Sequence, residues 1–373
     1  MKNTELVKIY GTDYKEMTKT LLAETGLDRE IGNPARKIGI KPNLVSPSTA
    51  DWGATTHPEI VAGIIEFLQE RGFTNLLILE SSWVGDKTSD ALEVCGYNDL
   101  CEKYQVPFLD IQKDGHHTED AAGFDLEICD GIRDVDFLIN VPVLKGHCQT
   151  KITCALKNMK GLVPSVEKRH FHKMGLHEPI AHLNKAIHQD FIVVDHICGD
   201  LDFEDGGNPV VRNCIMAAKD PVLVDSYVCH LLHYKADEVP YIKIAESLGV
   251  GCSDLSKMEL RVIGQEAEEE LPRAGKVVAV MDAVQEVESC SACYGYLIPA
   301  LDRLREEGLL EELLELLPDK ICIGQGYKGQ CGKIGVGNCT KGFEYSIKGC
   351  PPLETQIYDG LISYIKEMQS KKP

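Results

Sequence analysis

Short apolar runs alternate with longer amphipathic segments along most of this chain, and that alternation limits the possible folds more than any other feature. The runs lie at residues 36–41, 76–80, 106–110, 136–141, 191–195, 213–218 and 260–263. Short runs that are apolar throughout are typical of strands buried on both faces. The segment from Pro58 to Arg71 has helical spacing, with proline in its first turn and Gly72 after its end. Buried strands separated by helices predict an α/β fold, with a mostly parallel or mixed sheet flanked by helices.

The same patterns predict the remaining elements. Helices are expected over residues 89–104, 150–160, 178–188, 222–232, 241–248, 294–317 and 353–369, and a further strand over 276–281. The acidic patch at residues 266–270 is interpreted as a solvated linker. We therefore predict an α/β domain over residues 1–265 and a smaller cysteine-bearing α/β region over residues 271–373, packed against the first.

Charge and composition exclude several classes of partner. The 373 residues carry a formal net charge of −19, which argues against binding nucleic acid or an anionic membrane surface, because such binding depends on lysine and arginine neutralising phosphates. The N-terminal segment lacks the apolar core of a signal peptide, and no segment has the ~18 apolar residues of a membrane span. A cytoplasmic protein is expected. Its 15 cysteines are then predicted to be free thiols or metal ligands rather than disulfides.

Four cysteines have the spacing of a metal site. Cys290 and Cys293 form a C-x2-C pair, whereas Cys339 and Cys350 each follow a glycine or a Gly-Asn turn. Thiolates are soft ligands, and four of them suit a [4Fe-4S] cluster or a structural zinc ion. The Cys350-Pro351 step resembles the end of a ferredoxin cluster loop. We predict a [4Fe-4S] cluster, with zinc or unrelated core thiols as alternatives and Cys331 as a competing ligand.

Polar side chains follow several of the predicted strands. Ligands of open α/β sheets bind at the carboxyl ends of the strands, where lysines, amides and a histidine would suit a small carboxylate or phosphate. His147 is the predicted general acid or base because imidazole titrates near neutral pH. Lys145 and Lys157 are the other catalytic candidates, and with Lys41 they would hold the anion. The predicted substrate-binding residues are Lys41, Asn43, His57, Glu80, Ser81 and Asn158.

Three further patterns allow weaker interpretations. Histidines at 170, 172 and 177, next to basic residues, permit either a metal site or a mobile basic lid. The acidic loop 200–207 lacks the spacing of an EF-hand and is interpreted as solvated, while Asp195 could orient a histidine or lysine. The glycine-rich loop 324–337 matches neither a P-loop nor a dinucleotide fingerprint.

Taken in order, these motifs resemble the DUF362 family, a domain of unknown function common in anaerobic bacteria and archaea. The resemblance covers roughly residues 35–265. It is carried by Lys41-Pro-Asn43, Thr56-His-Pro58, Glu80-Ser81, Pro142-Val-Leu-Lys-Gly-His147, Leu156-Lys-Asn-Met-Lys-Gly161 and Asp220-Pro-Val-Leu-Val-Asp225. Several members carry ferredoxin-type clusters, but this tail lacks a two-cluster run and instead resembles a subgroup with Cys-Ser-Ala-Cys, Gly-Asn-Cys and Gly-Cys-Pro-Pro. The family name implies no reaction.

The sequence thus predicts an iron–sulfur protein that is a cluster-dependent enzyme, with oxidoreductase as the preferred class. The enzyme would act on a small anionic metabolite and be served by a redox partner protein. One alternative is a non-catalytic electron-transfer or cluster-carrier protein. Another is a zinc-stapled metabolite-binding protein. An isomerase or racemase of the nickel-dependent lactate racemase type is less favoured, since the lysines and histidines permit it but nothing requires it.

Overall fold

The structure, a computed structural model, describes residues 1–265, 267 and 270–371. The predicted linker at 266–270 therefore lies mostly outside the described residues. The strands are β1 (Glu5–Tyr10), β2 (Ile38–Lys41), β3 (Leu76–Glu80), β4 (Phe108–Asp110), β5 (His116–Asp120), β6 (Asp125–Cys129), β7 (Phe137–Asn140), β8 (Lys145–His147), β9 (Lys151–Thr153), β10 (Phe191–Asp200), β11 (Pro209–Ala218), β12 (Glu259–Ile263), β13 (Val284–Glu286), β14 (Ile321–Ile323), β15 (Ile334–Val336) and β16 (Tyr345–Ile347).

The α-helices lie between and beside these strands. They are α1 (Tyr14–Thr25), α2 (Leu27–Ile31), α3 (Pro58–Gln69), α4 (Thr88–Val94), α5 (Tyr97–Tyr104), α6 (Ala155–Asn158), α7 (Ser165–Met174), α8 (His177–Ala186), α9 (Pro221–Leu231), α10 (Pro240–Ser247), α11 (Lys276–Val280), α12 (Ser291–Glu306), α13 (Leu310–Leu316) and α14 (Glu354–Lys371).

Eight strands form the main sheet, in the order β12-β1-β11-β10-β7-β2-β3-β4. All neighbouring pairs are parallel except those of β11, which runs antiparallel to both β1 and β10. The central strands β2, β3 and β7 are buried along their whole length, as expected for strands covered on both faces. The predicted α/β class, with a mostly parallel sheet flanked by helices, is confirmed.

Helices cover the two faces of this sheet with separate apolar layers. One layer contains buried side chains of α1 and α3, including Leu21 and Ile64. The other contains buried side chains of α6, α8 and α9, including Leu156, Ile180 and Val224. Since both faces are covered, a ligand of this sheet can enter only at its edges or at the ends of its strands.

The cysteine-bearing tail has its own sheet of four short parallel strands, β13-β14-β15-β16. Apolar side chains of α12 and α14 pack with these strands in a third cluster. The tail also contacts the main sheet's loops: the Trp83 and Tyr296 rings lie 5.2 Å apart, and Gln149 Nε2 donates to Ser289 Oγ at 3.0 Å. The tail therefore packs against the loops that follow the main strands. The exact division at residues 265 and 271 stays a prediction.

Several predicted elements differ in the structure. The helix expected over 89–104 is broken at Gly96, and the one expected over 294–317 is broken near Gly308; both glycines have a φ of +75°, which ends a helix. Residues 150–160 form strand β9 and the short helix α6, because β9 pairs with β8 in a hairpin. The strand predicted over 276–281 is wrong: it is helix α11, in which Val278 is 66% exposed.

Within the described part of the chain, no helix is both long enough and apolar enough to cross a lipid bilayer.

Candidate functional site

A cavity of about 70 Å³ lies where the parallel strands of the main sheet end. Strand β3 contributes Glu80 to its wall, and the loop after it contributes Ser81 and Trp83. The tail contributes Cys290 and Ser291 from the start of helix α12. Two distant parts of the sequence therefore build one site.

Most of the side chains predicted from the strand ends gather around this cavity. Its wall includes Asn43, Glu80, Ser81, Lys145, Lys157 and Asn158. Lys41 and His147 lie behind the wall, where each contacts a carboxylate that lines it. His57 does not line the cavity, and its ring instead faces Asp195 and Cys198.

Lys41 and Glu80 form a buried ion pair beneath the cavity. Lys41 Nζ lies 2.5 Å from Glu80 Oε2, and both side chains are almost fully buried. Burial lowers the pKa of Lys41, and the Glu80 carboxylate opposes that shift. The other carboxylate oxygen accepts a hydrogen bond from Ser81 N at 2.7 Å. A Cβ at position 161 would stand 1.7 Å from Glu80 Oε1, so only glycine fits there without displacing the pair.

A chain of amide side chains joins the strand ends to helix α6. Asn43 Nδ2 donates to Asn158 Oδ1 at 3.0 Å, and Asn158 Nδ2 donates to Asn140 Oδ1 at 2.7 Å. Asn140 Nδ2 then donates to Gln189 Oε1 at 2.7 Å. Because these buried groups satisfy one another, we assign Asn43 and Asn158 to positioning the wall rather than to binding a ligand with those atoms.

Glu204 is the charged centre of the site. Its Oε2 atom contacts His147 Nε2 closely and lies 2.9 Å from Lys157 Nζ. Burial alone would raise the pKa of Glu204, but His147 and Lys157 together hold it well below its usual range. Glu204 Oε1 is buried and has no hydrogen-bond partner among the residues described. This carboxylate is therefore ionised and keeps one acceptor free.

His147 is held in one tautomer. Its Nδ1 atom accepts hydrogen bonds from the backbone N–H groups of Gln149 and Thr150, at 2.9 and 3.1 Å, so the proton of the neutral ring resides on Nε2, against Glu204. Burial lowers the pKa of His147 to about 4. At neutral pH the ring is uncharged. Two backbone N–H groups engage Nδ1, whereas Nε2 contacts Glu204 closely without the geometry of a hydrogen bond.

Three more lysines surround the cavity, and burial lowers the pKa of each to about 7. Lys145 Nζ donates to two backbone carbonyls, those of Ala54 and Glu204, at 2.6 Å each. Lys168 Nζ donates to the Ser81 hydroxyl at 2.6 Å and to two neighbouring carbonyls. Lys160 has no hydrogen bond or ion pair to any described residue, and its Nζ lies 5.8 Å from the Phe171 ring centre. The Lys160 ammonium is thus the group best able to meet a ligand.

Amino groups outnumber the carboxylates that line the cavity. Five lysines, at 41, 145, 157, 160 and 168, lie in or behind its wall, whereas the lining carboxylates are Glu80 and Glu204; Asp200 and Asp205 also act on Lys145. The excess of cationic groups is itself a reason for the lowered lysine pKa values, since Lys157 lowers the pKa of both Lys145 and Lys160. A bound anion would relieve this repulsion.

Sequence patterns missed four members of this site. Lys168 and His172 were interpreted as part of a mobile lid or a metal site, but both are buried in the cavity wall, and His172 Nε2 accepts from the Ser291 backbone N–H at 3.3 Å. Glu204 lies in the loop interpreted as solvated and is only 3% exposed. Lys160 belongs to the motif that ends at Gly161, but the sequence pattern assigns it no role. Only the burial of these residues distinguishes them from surface charges.

The four predicted metal ligands come together beside the cavity. Cys290 precedes helix α12 and Cys293 lies in its first turn, while Cys339 and Cys350 lie in loops that flank strand β16. Burial raises the pKa of Cys290 and Cys293, and for both thiols the charges of the other cysteines raise it further. Four thiolates this close would repel one another unless a cation were bound among them.

These four thiols are compatible with two kinds of metal site. One tetrahedral zinc ion would hold its sulfur ligands about 3.8 Å apart, given a Zn–S bond of about 2.3 Å. A cluster of four irons would bind each thiolate to a different metal atom. Cys331 and Cys350 are both exposed, whereas Cys290, Cys293 and Cys339 are partly buried, so exposure does not separate the competing ligand Cys331 from the quartet.

His57 belongs to a separate group of residues. Its Nδ1 atom lies 2.8 Å from Asp195 Oδ2, and the His57 backbone N–H donates to the same oxygen at 2.8 Å. Burial alone would lower the pKa of His57, but Asp195 and, less strongly, Cys198 raise it to about 11. The suggestion that Asp195 orients a histidine fits this geometry.

Three known proteins are similar to parts of this chain. The Thylakoid-associated protein sll1697 of Synechocystis sp. is 25% identical over 245 residues, which are 62% of this chain and 74% of that protein. Among solved structures, the lactate racemase apoprotein from Thermoanaerobacterium thermosaccharolyticum has a TM-score of 0.41 at 14% identity and is matched over 61% of this chain and 57% of its own. A Thermotoga maritima crystal structure has a TM-score of 0.35, also at 14% identity, over 68% of this chain and 62% of its own.

A family model described as "Domain of unknown function (DUF362)" matches residues 38–230. That range begins at strand β2 and ends in helix α9, so it contains every residue of the cavity except those supplied by the tail. Because the match covers more than half of the chain, the resemblance noted in the motifs is confirmed: the protein belongs to the DUF362 family.

Proposed function

We propose that this protein is an iron–sulfur enzyme that binds a small carboxylate or phosphate in the lysine-lined cavity, next to a [4Fe-4S] cluster held by Cys290, Cys293, Cys339 and Cys350. One observation carries the proposal. Cys290 belongs to the thiol quartet and also lines the cavity that contains Lys157 and Lys160. A ligand in that cavity would therefore lie beside the metal centre.

The donor set suits a cluster. Four thiols are the ligands that a [4Fe-4S] cluster takes, and the Cys350-Pro351 step resembles the end of a ferredoxin cluster loop. Gly337 leaves room near the site, because a Cβ there would stand 3.9 Å from Cys293 Sγ. When bound, a cluster with four cysteine ligands supplies one-electron transfer.

The cavity suits a small anion. Lys160 offers an ammonium with no hydrogen bond to a described residue, and Lys157 offers a second that Glu204 only partly neutralises. Lys145 and Lys168 donate to backbone carbonyls and so stiffen the wall. The unpartnered Glu204 Oε1 could accept a hydrogen bond from a hydroxyl of the bound molecule. The site thus combines charge attraction with one polar contact for orientation.

Lys160 is the better candidate for proton transfer in this proposal. Its pKa, lowered to about 7, lets it hold or release a proton near neutral pH at the place where the anion would lie. The sequence predicts His147 for this role, but two backbone N–H groups engage its Nδ1 atom, and its Nε2 atom lies behind the cavity wall against Glu204. We therefore propose that His147 positions Glu204.

The first experiment tests the cluster. Protein purified without oxygen is expected to be brown and to contain about four irons and four sulfides per chain. Cys290→Ala and Cys339→Ala are expected to lose the colour, whereas Cys331→Ala keeps it. Colourless protein with one zinc per chain would contradict the cluster and favour the zinc-stapled alternative.

The second experiment tests the cavity. Inorganic phosphate and malonate are titrated against the purified protein, with binding followed by the fluorescence of Trp83, which lines the cavity. Lys160→Met is expected to weaken binding about tenfold, a loss of about 1.4 kcal/mol. Lys341→Met is the matched control, because Lys341 is exposed in the tail. A brown protein that binds neither anion would instead support the electron-transfer or cluster-carrier alternative.

A further inference from the structure

A second cluster of metal-ligating side chains lies outside the lysine-lined cavity. It consists of Asp51, His57 and Cys198, none of which lines that cavity. Asp51 lies in a short 3-10 turn, His57 directly precedes helix α3, and Cys198 lies near the end of strand β10. Of the described histidine, cysteine, aspartate and glutamate residues, these three alone form a group whose ligand atoms all lie within 4.8 Å of one another.

We infer that Asp51, His57 and Cys198 form a binding site for a divalent cation of borderline softness, zinc in particular. The donor types support the choice of metal, since thiolate, imidazole and carboxylate are the three ligand classes that zinc takes in proteins. Calcium and magnesium prefer oxygen ligands alone.

The distances are close to those of a bound ion. His57 Nε2 lies 3.6 Å from Asp51 Oδ1 and 4.0 Å from Cys198 Sγ. Zinc bonded to all three in tetrahedral geometry would place the same atoms about 3.4 and about 3.6 Å apart, given its usual bond lengths. A contraction of a few tenths of an ångström would complete the site.

A buried carboxylate supports the histidine from behind. Asp195 Oδ2 accepts from His57 Nδ1, and Asp195 Oδ1 accepts from the Ile197 backbone N–H at 3.0 Å. A hydrogen bond from Nδ1 to a carboxylate leaves Nε2 as the atom that faces the ion, which is the usual support of a zinc-bound histidine. The Tyr14 ring packs edge-on against the imidazole, with ring centres 5.5 Å apart.

The backbone also holds the other two ligands in place. The pairing of β10 with β11 shifts register between His196 and Cys198, and such a bulge re-aims a side chain. The Asp200 N–H donates to Gly53 O at 3.1 Å, which ties the loop of Asp51 to the same strand. The Cys198 thiol donates to Ala50 O at 3.4 Å. Zinc binding would release to solvent both that thiol proton and the Nε2 proton of the His57 imidazolium.

The site opens to solvent on one side. The Asp51 side chain is 96% exposed, whereas that of His57 is 4% exposed. Three protein ligands leave a fourth coordination position for water or a small molecule, as in zinc sites that bind exchangeable ligands. We therefore place this ion at the surface, where it is independent of the thiol quartet.

The test uses the full-length protein with its thiol quartet intact. Zinc chloride is titrated against wild type, Asp51→Asn and Cys198→Ser, and tightly bound zinc is counted after dialysis. Trp52 is adjacent to Asp51 and its fluorescence reports binding at this site. Asp51→Asn and Cys198→Ser are each expected to weaken this zinc site at least tenfold. Asp51→His keeps a ligand atom and is expected to retain zinc.

Asp99→Asn is the matched control, because Asp99 is an exposed aspartate on helix α5. Asp51 is so exposed that its replacement should leave the fold intact, which keeps the test valid if Cys198→Ser is unstable. Equal zinc content and equal zinc affinity in wild type and Asp51→Asn would overturn the inference. This holds both if neither protein binds zinc and if both bind it only at the thiol quartet.

Discussion

Replacing Glu204 with glutamine tests whether charge balance holds the cavity together. The substitution keeps the shape of the side chain and removes the negative charge that Lys157 Nζ contacts at 2.9 Å. It also leaves the Nε2 proton of His147 facing an amide instead of a carboxylate. The buried ammonium of Lys157 then has no counter-charge.

The expected loss is large. Two unit charges 2.9 Å apart attract by about 6 kcal/mol at an effective dielectric constant of about 20. Since the pair also loses hydration on burial, removing one partner costs about 3–5 kcal/mol in practice.

The measurement is urea unfolding of wild type and Glu204→Gln, followed by the fluorescence of buried Trp83. Glu238→Gln is the matched control: Glu238 Oε1 lies 2.8 Å from Lys151 Nζ, but both side chains are 41% exposed. That exposed pair should contribute no more than about 1 kcal/mol. A loss below about 1 kcal/mol in Glu204→Gln, no larger than that of the control, would refute the reasoning.

Three further outcomes are expected. Asp225→Asn should lower the free energy of unfolding by about 1–3 kcal/mol, as measured by urea unfolding. The buried carboxylate accepts hydrogen bonds from two successive backbone N–H groups at the start of helix α6, one on each oxygen, and an amide side chain has only one oxygen to accept them. Gly161→Ala should disrupt the site through Glu80 and lower stability and anion affinity together, whereas Gly275→Ala, with nothing within 4 Å of the added Cβ, should leave both unchanged. Phosphate binding should weaken as the pH rises through about 7, where Lys160 loses its charge. Calorimetry across that pH range checks this. A wild-type affinity that does not change with pH would contradict the role of this lysine. The stability of the protein should change with pH in the opposite direction to phosphate affinity. Because folding lowers the pKa of Lys160, the free energy of unfolding rises as the pH increases from about 7 toward the pKa of this lysine in the unfolded chain.

Local patterns predicted the secondary structure well where one signal dominated. Helix α3 begins at Pro58 as the sequence indicates, because proline suits the first helical turn. The predictions failed where glycine or pairing overrode the periodicity. Gly96 and Gly308 each interrupt a segment whose apolar spacing continues past it. The strand predicted at 276–281 failed because β-branched residues favour strands only when a partner strand is available.

Short-range spacing was enough to identify the α/β class and the family, and it predicted the cysteine quartet. The shared direction of parallel strands predicted that polar residues meet where those strands end. Which charges are buried could be seen only in the folded protein: Glu204 and Lys168 look like surface residues in the sequence but lie inside the cavity wall. It likewise separated His57 from the cavity and brought it to Cys198, 141 residues away. Burial and long-range contact set the pKa and partners of an ionisable group, and neither is encoded in its neighbours along the chain.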